Sequence, residues 1–154
     1  MKEIGFLIFL LAYSTVFALF EIQIEGNKGW AAALPCWRVQ NKWTRLLIGD
    51  KPITGYHVLI NVLMLLLLQF PPLLFVTWSW RLECLVIGFI LAVWEIEDFL
   101  WFIFNPNYGL KNFKPEKVTW HPRWWGPLPD WYWWLPFIWE PLIYLGWPVL
   151  GTYH

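Results

Sequence analysis

An acidic run, Glu95-Ile96-Glu97-Asp98, lies inside an otherwise apolar segment that extends from Cys84 to Phe104. The segment is close to the ~20 residues that an α-helix needs to cross a bilayer. A carboxylate at membrane depth is costly, so it needs a partner and marks a candidate functional site. The acids therefore constrain the fold, because the chain must place a neutralising partner at the same depth.

The composition is typical of a membrane protein. Apolar residues make up 58% of the 154 residues and charged residues 14%, whereas soluble domains carry about 25% charged residues. The 11 basic and 11 acidic residues balance, which argues against nucleic acid as a partner. The 15 tryptophans predict broad aromatic belts at the membrane surface, because indole rings favour the headgroup region.

Four apolar segments predict an all-α integral membrane helical bundle. Three of them are clear transmembrane helices, whereas the fourth is rich in proline and tryptophan and forms either a kinked span or a re-entrant segment. We expect a single transmembrane domain over residues 1–154, with helices at about 4–24, 54–78, 82–104 and 131–150 and interfacial loops at 25–53 and 105–130.

Basic residues predict the orientation, since cytoplasmic loops carry an excess of lysine and arginine. The 25–53 loop contains five of them and the 105–130 loop contains four, whereas the short connection between the second and third helices contains only Arg81. We therefore expect a multi-pass membrane protein with both long loops in the cytoplasm and the N-terminus outside.

This orientation brings the unusual polar residues to the cytoplasmic side of the membrane. The residues expected there, at helix ends and in the loop after the third helix, are Glu21, Glu25, His57, Asn61, Glu95, Glu97, Asp98 and His121. Residues three or four positions apart share one face of a helix. We therefore predict one polar site, with Glu95 and Asp98 facing the bundle and Glu97 on another face.

A bound divalent metal would neutralise these acids directly, because such ions accept carboxylate oxygens and imidazole nitrogens. Iron, manganese and zinc are the candidate ions. The four carboxylates and two imidazoles resemble the ligand inventory of di-iron and di-manganese bundle proteins, although the chain has no Glu-x-x-His motif. The predicted metal ligands are Glu21, His57, Glu95 and Asp98, the predicted catalytic residues are Glu25 and His121, and the predicted supporting residues are Asn61 and Glu97.

Several of these residues also have purely structural interpretations. Glu25 is followed by Gly26-Asn27 and is compatible with a solvated helix end, and Asn61 is compatible with a hydrogen bond between helices. His57 and His121 are each compatible with an ordinary ring at the membrane surface. Without a metal, the acids need ion pairs, for which Arg38, Arg45 and Arg123 are available.

Three functions follow from this pattern. The leading hypothesis is a small integral membrane enzyme, an oxidoreductase or hydrolase, that acts on a lipid or another hydrophobic substrate. The second is a transporter or channel for protons or metal ions, because acids and histidines inside a membrane form ion paths. The third is an accessory subunit of a larger membrane complex, or a homo-oligomer. The chain contains no glycine-rich phosphate loop and no G-x-S-x-G or H-E-x-x-H motif.

Overall fold

The secondary structure is mostly helical, as predicted. The computed structural model describes residues 1–151, apart from the side chain of Leu47. The α-helices are α1 (Lys2–Glu25), α2 (Lys42–Ile48), α3 (Gly55–Phe75), α4 (Trp80–Phe104), α5 (Trp131–Trp134) and α6 (Pro136–Gly146). Short 3₁₀ turns occupy Leu110–Asn112 and Trp147–Gly151. Two antiparallel strand pairs join β1 (Arg38–Val39) to β2 (Ile53–Thr54) and β3 (Trp124–Trp125) to β4 (Leu128–Pro129).

The structure differs from the prediction in the loops and in the last segment. The 25–53 loop contains α2 and the β1–β2 pair, and the 105–130 loop contains the β3–β4 pair. The predicted helix at 131–150 is divided into α5, α6 and a 3₁₀ turn. A proline at each junction accounts for the division, because Pro136 and Pro148 each lack a backbone N–H donor.

Helices α1 and α3 are each long and apolar enough to cross a bilayer. Most of α3 packs against little else, and its buried residues are Gly55 and Met64. Leucines along the rest of α3 are exposed, which is compatible with contact to lipid chains. Near its end, Gln69 Nε2 donates a hydrogen bond of 2.8 Å to Glu83 Oε2 at the start of α4.

Helices α1 and α4 pack side by side and run in the same direction. Phe6 and Tyr13 of α1 both contact Phe89 of α4, with ring centroids 5.8 and 5.7 Å apart. At the other end, Asn105 Nδ2, just after α4, donates to the carbonyl oxygen of Gly26, just after α1, at 2.8 Å. The two helices therefore end at the same level of the molecule, with their acidic residues side by side.

Helix α6 packs against the opposite side of α4 and runs antiparallel to it. Tyr132 contacts Asp98 at one end of α4, and Gly146 lies against Leu85 at the other. A Cβ atom on Gly146 would lie 2.6 Å from the Leu85 backbone nitrogen, so the absence of a side chain permits the close approach of the two helices. Helix α4 is thus the central element, with α1 on one side and α6 on the other.

Two clusters of buried apolar residues lie along α4. One lies at mid-height, where α1, α3 and α4 meet, and contains Leu10, Met64, Phe89, Ile90, Ala92 and Val93. The other lies beneath the 105–130 loop and contains Ala18, Ile22, Trp101, Phe102 and Val118. Aromatic side chains of that loop pack against the second group and enclose the ends of α1 and α4. The acidic residues lie next to this enclosed end.

Candidate functional site

A cavity of about 600 Å³ lies where the ends of α1 and α4 meet the start of α3 and the two long loops. We call it the acid-lined cavity. Its carboxyl groups belong to Glu21, Glu25, Glu97, Asp98 and Asp130, and its other polar residues are Lys51, His57, Asn61, His121 and Arg123. Six tryptophans also line it: Trp30, Trp94, Trp101, Trp120, Trp131 and Trp134. The volume is within the ~300–1,000 Å³ range of small-molecule sites.

Seven of the eight residues singled out in the sequence line this cavity, and Glu95 does not. Trp139 Nε1 of α6 donates a hydrogen bond of 2.6 Å to Glu95 Oε2. The prediction for the acidic run therefore needs a correction, because Glu97 lies in the cavity and Glu95 faces α6. Two residues that are two positions apart on an α-helix are related by a rotation of about 200°, so their side chains point in nearly opposite directions. Since α4 lies between α1 and α6, the two glutamates face different helices.

Glu21 and Glu97 form a carboxyl pair across the α1–α4 contact. Their side chains hydrogen-bond to each other, and both are buried. Two carboxyl groups can hydrogen-bond only if one of them carries a proton, so this pair shares a proton. The Tyr56 hydroxyl donates to Glu21 Oε1 at 3.2 Å, whereas Glu97 Oε1 has no hydrogen-bond partner among the described residues. Glu97 thus lines the cavity through a carboxyl group that is paired with Glu21 and has one buried oxygen, Oε1, that accepts no hydrogen bond from the other described residues.

Glu25 and His57 form a second group. His57 Nε2 lies 3.6 Å from Glu25 Oε1, which also accepts a 2.5 Å hydrogen bond from the backbone N–H of Ala31. The Thr54 hydroxyl lies 2.6 Å from His57 Nδ1 and caps the start of α3 by accepting the His57 N–H. Strand pairing places Thr54 opposite Arg38. The segment between α1 and α3, which we call the 26–54 loop, therefore fixes the position of the imidazole.

Trp30 covers this histidine. Its indole ring stacks on the imidazole of His57, with centroids 4.1 Å apart and planes 22° apart. The Lys51 ammonium lies 3.6 Å from the centroid of Trp30, a cation–π contact. Burial lowers the pKa of Lys51 from 10.5 to about 8, against the opposing effect of the Asp98 charge.

The backbone beneath Trp30 is strained. Trp30 and Ala31 have φ angles of 57° and 52°, a left-handed conformation that residues with a side chain adopt at a cost. The hydrogen bond from the Ala31 N–H to Glu25 and the bond from Trp30 Nε1 to the Pro52 carbonyl, 2.7 Å long, hold this turn. The strain is therefore located at the point where the loop places an aromatic ring in the cavity.

His121 and Asp98 form the third group. The indole N–H of Trp131 donates to His121 Nδ1 at 3.4 Å. An indole can only donate, so Nδ1 is unprotonated and the proton of the neutral ring is on Nε2. Nε2 lies 3.2 Å from Asp98 Oδ2, to which the Tyr132 hydroxyl also donates. Both ring nitrogens of His121 are thus engaged, and the ring serves to position Asp98.

The arginines that were candidate partners for the acids bind elsewhere. Arg38 donates to the backbone carbonyls of Ala31, Leu34 and Cys36. Arg45 lies 3.6 Å from Asp50 outside the cavity, and Arg123 lies 2.8 Å from Asp130 at its edge.

Sequence reasoning missed Trp30, Lys51, Tyr56 and Tyr132 as parts of the site. Tyr56 directly precedes His57 at the start of α3, and this adjacency is a signal that the local sequence does carry. Lys51 and Trp30 carry no such signal, because they reach the cavity only through the folding of the loop between α1 and α3. Tyr132 carries none either, because its contact with Asp98 depends on how the last segment packs against α4.

The four predicted metal ligands are not brought together, since Glu95 lies outside the cavity. Within residues 1–151, no group of three or more histidine, cysteine, aspartate or glutamate side chains is arranged to hold a metal ion. The divalent metal stays a prediction from the sequence.

Comparison with known proteins gives no relative. No protein-family model, no curated protein and no solved structure matches the chain. A function must therefore be argued from the cavity itself.

Proposed function

We propose that the chain is a small integral membrane enzyme that transfers a proton to or from a lipid or another hydrophobic substrate in the acid-lined cavity. The observation that carries this proposal is the buried Glu21–Glu97 carboxyl pair in the wall of the cavity, whose hydrogen bond requires a shared proton. Carboxyl pairs of this kind serve as acid and base in enzymes, because two adjacent carboxyl groups do not both ionise. Glu97 is the proposed proton-transfer group.

The surrounding residues support that role. Tyr56 donates to Glu21, which favours the charge on Glu21 and the proton on Glu97. Next to Glu97 on α4, Asp98 receives hydrogen bonds from His121 and Tyr132. These contacts fix the side chains around the cavity before a substrate enters, and such preorganisation is a large contribution to catalysis.

The direction of the helices supports four membrane crossings. Because α1 and α4 run parallel, α3 between them must return across the membrane. The 131–151 segment runs antiparallel to α4. It contacts α4 from Asp98, at the acidic residues, back to Leu85, near the start of the helix. We infer that α4 and this segment also cross, so that the cavity lies at the cytoplasmic side, where the basic loops are.

The outer wall of the cavity suggests how a hydrophobic substrate enters. Trp94, Trp134 and Ile138 line the cavity and are also 37%, 49% and 43% exposed at the molecular surface. In the proposed orientation this surface faces lipid, so apolar side chains separate the acids from the inner leaflet. A lipid tail can occupy such a wall while its polar end reaches Glu97.

The proposal is tested by incubating the detergent-purified protein with a lipid extract and following the lipid species over time by chromatography coupled to mass spectrometry, which separates isomers as well as products of different mass. The variants are Glu97→Gln, which cannot transfer the proton, and Glu95→Gln, a control two residues away that lies outside the cavity. We expect wild type and Glu95→Gln to convert the same lipid species, and Glu97→Gln to lose at least about 100-fold in rate. Conversion that persists in Glu97→Gln would contradict the proposal.

Infrared spectroscopy tests the shared proton separately. Wild type and Glu95→Gln are expected to show the carbonyl band of buried protonated carboxyl groups at neutral pH, and this band is expected to be weaker in Glu97→Gln. If the band is present but no lipid is converted, ion flux in liposomes would favour the transport alternative. Co-purification of a fixed partner would favour an accessory subunit.

A further inference from the structure

We propose that the acid-lined cavity binds the cationic ammonium head group of its ligand between the indole face of Trp30 and the carboxylates of Glu25 and Asp98. This inference rests on the proposed function and specifies its substrate class as an amphiphile with a positively charged amine. It draws on the charge balance of the cavity, on the contact between Lys51 and Trp30, and on the buried Oε1 atom of Glu97, which has no hydrogen-bond partner among the described residues.

The charge balance of the cavity favours a cation. Among the described residues, five carboxyl groups but only two side chains of lysine or arginine, Lys51 and Arg123, line it. Arg123 is already paired with Asp130 at 2.8 Å. The Glu21–Glu97 pair shares a proton, so this pair, Glu25 and Asp98 carry up to three negative charges against the single positive charge of Lys51. A neutral or anionic head group would leave carboxylates without a counter-charge in a buried site, which is unfavourable.

The Lys51 ammonium shows where a cation fits. It lies 3.6 Å from the centre of the Trp30 ring, and that ring also stacks on His57, next to Glu25. Aromatic rings with nearby acids form the usual recognition site for quaternary ammonium groups. The strained backbone at Trp30 and Ala31 holds the indole in this position. Lys51 therefore occupies the place that we assign to the ligand's ammonium group.

Glu97 provides an independent observation. It is 6% exposed and lines the cavity, yet its Oε1 atom has no hydrogen-bond partner among the described residues. A buried polar atom without a partner costs roughly 1–3 kcal/mol, so native proteins rarely retain one without a reason. An ammonium group with N–H donors would provide the missing partner.

The test uses hexylammonium, a primary ammonium like that of Lys51 with N–H donors, as the cationic probe and 1-hexanol as a neutral probe of the same chain length. Binding to the detergent-purified full chain is measured by titration calorimetry. We expect the cation to bind about tenfold more tightly than the alcohol, the difference that a desolvated cation–π contact supplies. Equal affinity for the two probes would overturn the proposal.

Two variants shift the affinity in opposite directions. Glu25→Gln keeps an oxygen that accepts the Ala31 N–H but removes the charge, so it should weaken cation binding about tenfold and leave 1-hexanol binding unchanged. Lys51→Met removes the internal ammonium from Trp30, so it should tighten cation binding several-fold. A misfolded variant would not bind more tightly. Unchanged or weaker cation binding in Lys51→Met would also overturn the proposal.

These results are distinguishable from a failure of the proposed enzyme. Lipid conversion that depends on Glu97, without selective binding of hexylammonium, would retain the enzyme and reject the head-group assignment. Selective cation binding without lipid conversion would retain the ammonium site and reject the enzyme.

Discussion

At the scale of single residues, the chemistry of this protein depends on which neighbour each buried charge has. Glu95, Glu97 and Asp98 are almost adjacent in sequence but have three different partners, namely Trp139, Glu21 and the His121–Tyr132 pair. A neutral hydrogen-bond donor, a carboxyl group and a histidine affect the protonation of a neighbouring acid in different ways. The three residues therefore have distinct environments.

Lys51 gives the residue-scale prediction. Its pKa is about 8 in the folded protein and about 10.5 when exposed, so between these values the unfolded chain binds the additional proton. Stability should therefore rise with pH from about 8 to about 10.5 through this group. Below pH 8 the burial of the ammonium opposes folding. We expect the thermal midpoint of wild type to approach that of Lys51→Met as the pH rises through this window.

The measurement is thermal unfolding of both proteins in the same detergent at a series of pH values. The difference between the two midpoints isolates Lys51, because all other groups titrate in both proteins. A difference that stays constant from pH 7 to pH 10 would show that Lys51 is not buried.

At the scale of elements, the contact between α4 and α6 depends on two glycines. A Cβ atom on Gly88 would lie 2.9 Å from the Ile143 backbone nitrogen, and one on Gly146 would lie 2.6 Å from that of Leu85. Such short distances to backbone atoms require the helices to separate. This contact sets the distance between Asp98 on α4 and Tyr132 at the start of the last segment, so it also shapes the cavity.

Gly146→Ala tests this contact. The added methyl group meets backbone rather than a flexible side chain, so we expect a loss of about 1–3 kcal/mol and a lower unfolding midpoint. Gly5→Ala on α1 is the matched control, because nothing lies within 4 Å of the position that its methyl group would occupy. Its midpoint should be unchanged or slightly higher, since alanine favours helix. Equal midpoints for the two variants would contradict close packing of α4 and α6.

At the scale of the whole molecule, the two long loops enclose one end of the bundle. The 26–54 loop contributes Trp30 and Lys51, and the 105–130 loop contributes His121. Neither loop contains a long helix, yet together they complete the cavity that α1, α3 and α4 begin. In the proposed membrane enzyme, the position of this end relative to the membrane decides from which side a substrate or a proton arrives.

Cysteine labelling tests that position. Cys36 lies in the 26–54 loop, and Thr77 lies in the short connection between α3 and α4 at the other end of the molecule. In a Cys84→Ser background, we expect Cys36 to react with a membrane-impermeant reagent only after the inner face is exposed. Thr77→Cys with Cys36→Ser should react from outside. Labelling of Cys36 from outside would reverse the proposed orientation.

The sequence by itself determined the mostly helical fold, the boundaries of α1, α3 and α4 to within a few residues, and the acids and histidines that gather at one end. Apolar runs of sufficient length specify these helices locally, because a helix satisfies its own backbone groups. The high cost of a buried carboxylate makes such residues conspicuous in any apolar segment.

Only the tertiary structure decided which acid faces which partner. Helical spacing places Asp98 between the directions of Glu95 and Glu97, so either glutamate was compatible with a shared site until the neighbours of α4 were known. The helix order, with α1 on one side of α4 and α6 on the other, placed Glu97 against Glu21 and Glu95 against Trp139. Long-range packing decides such pairings, because nothing in the local sequence specifies the direction from which another helix arrives.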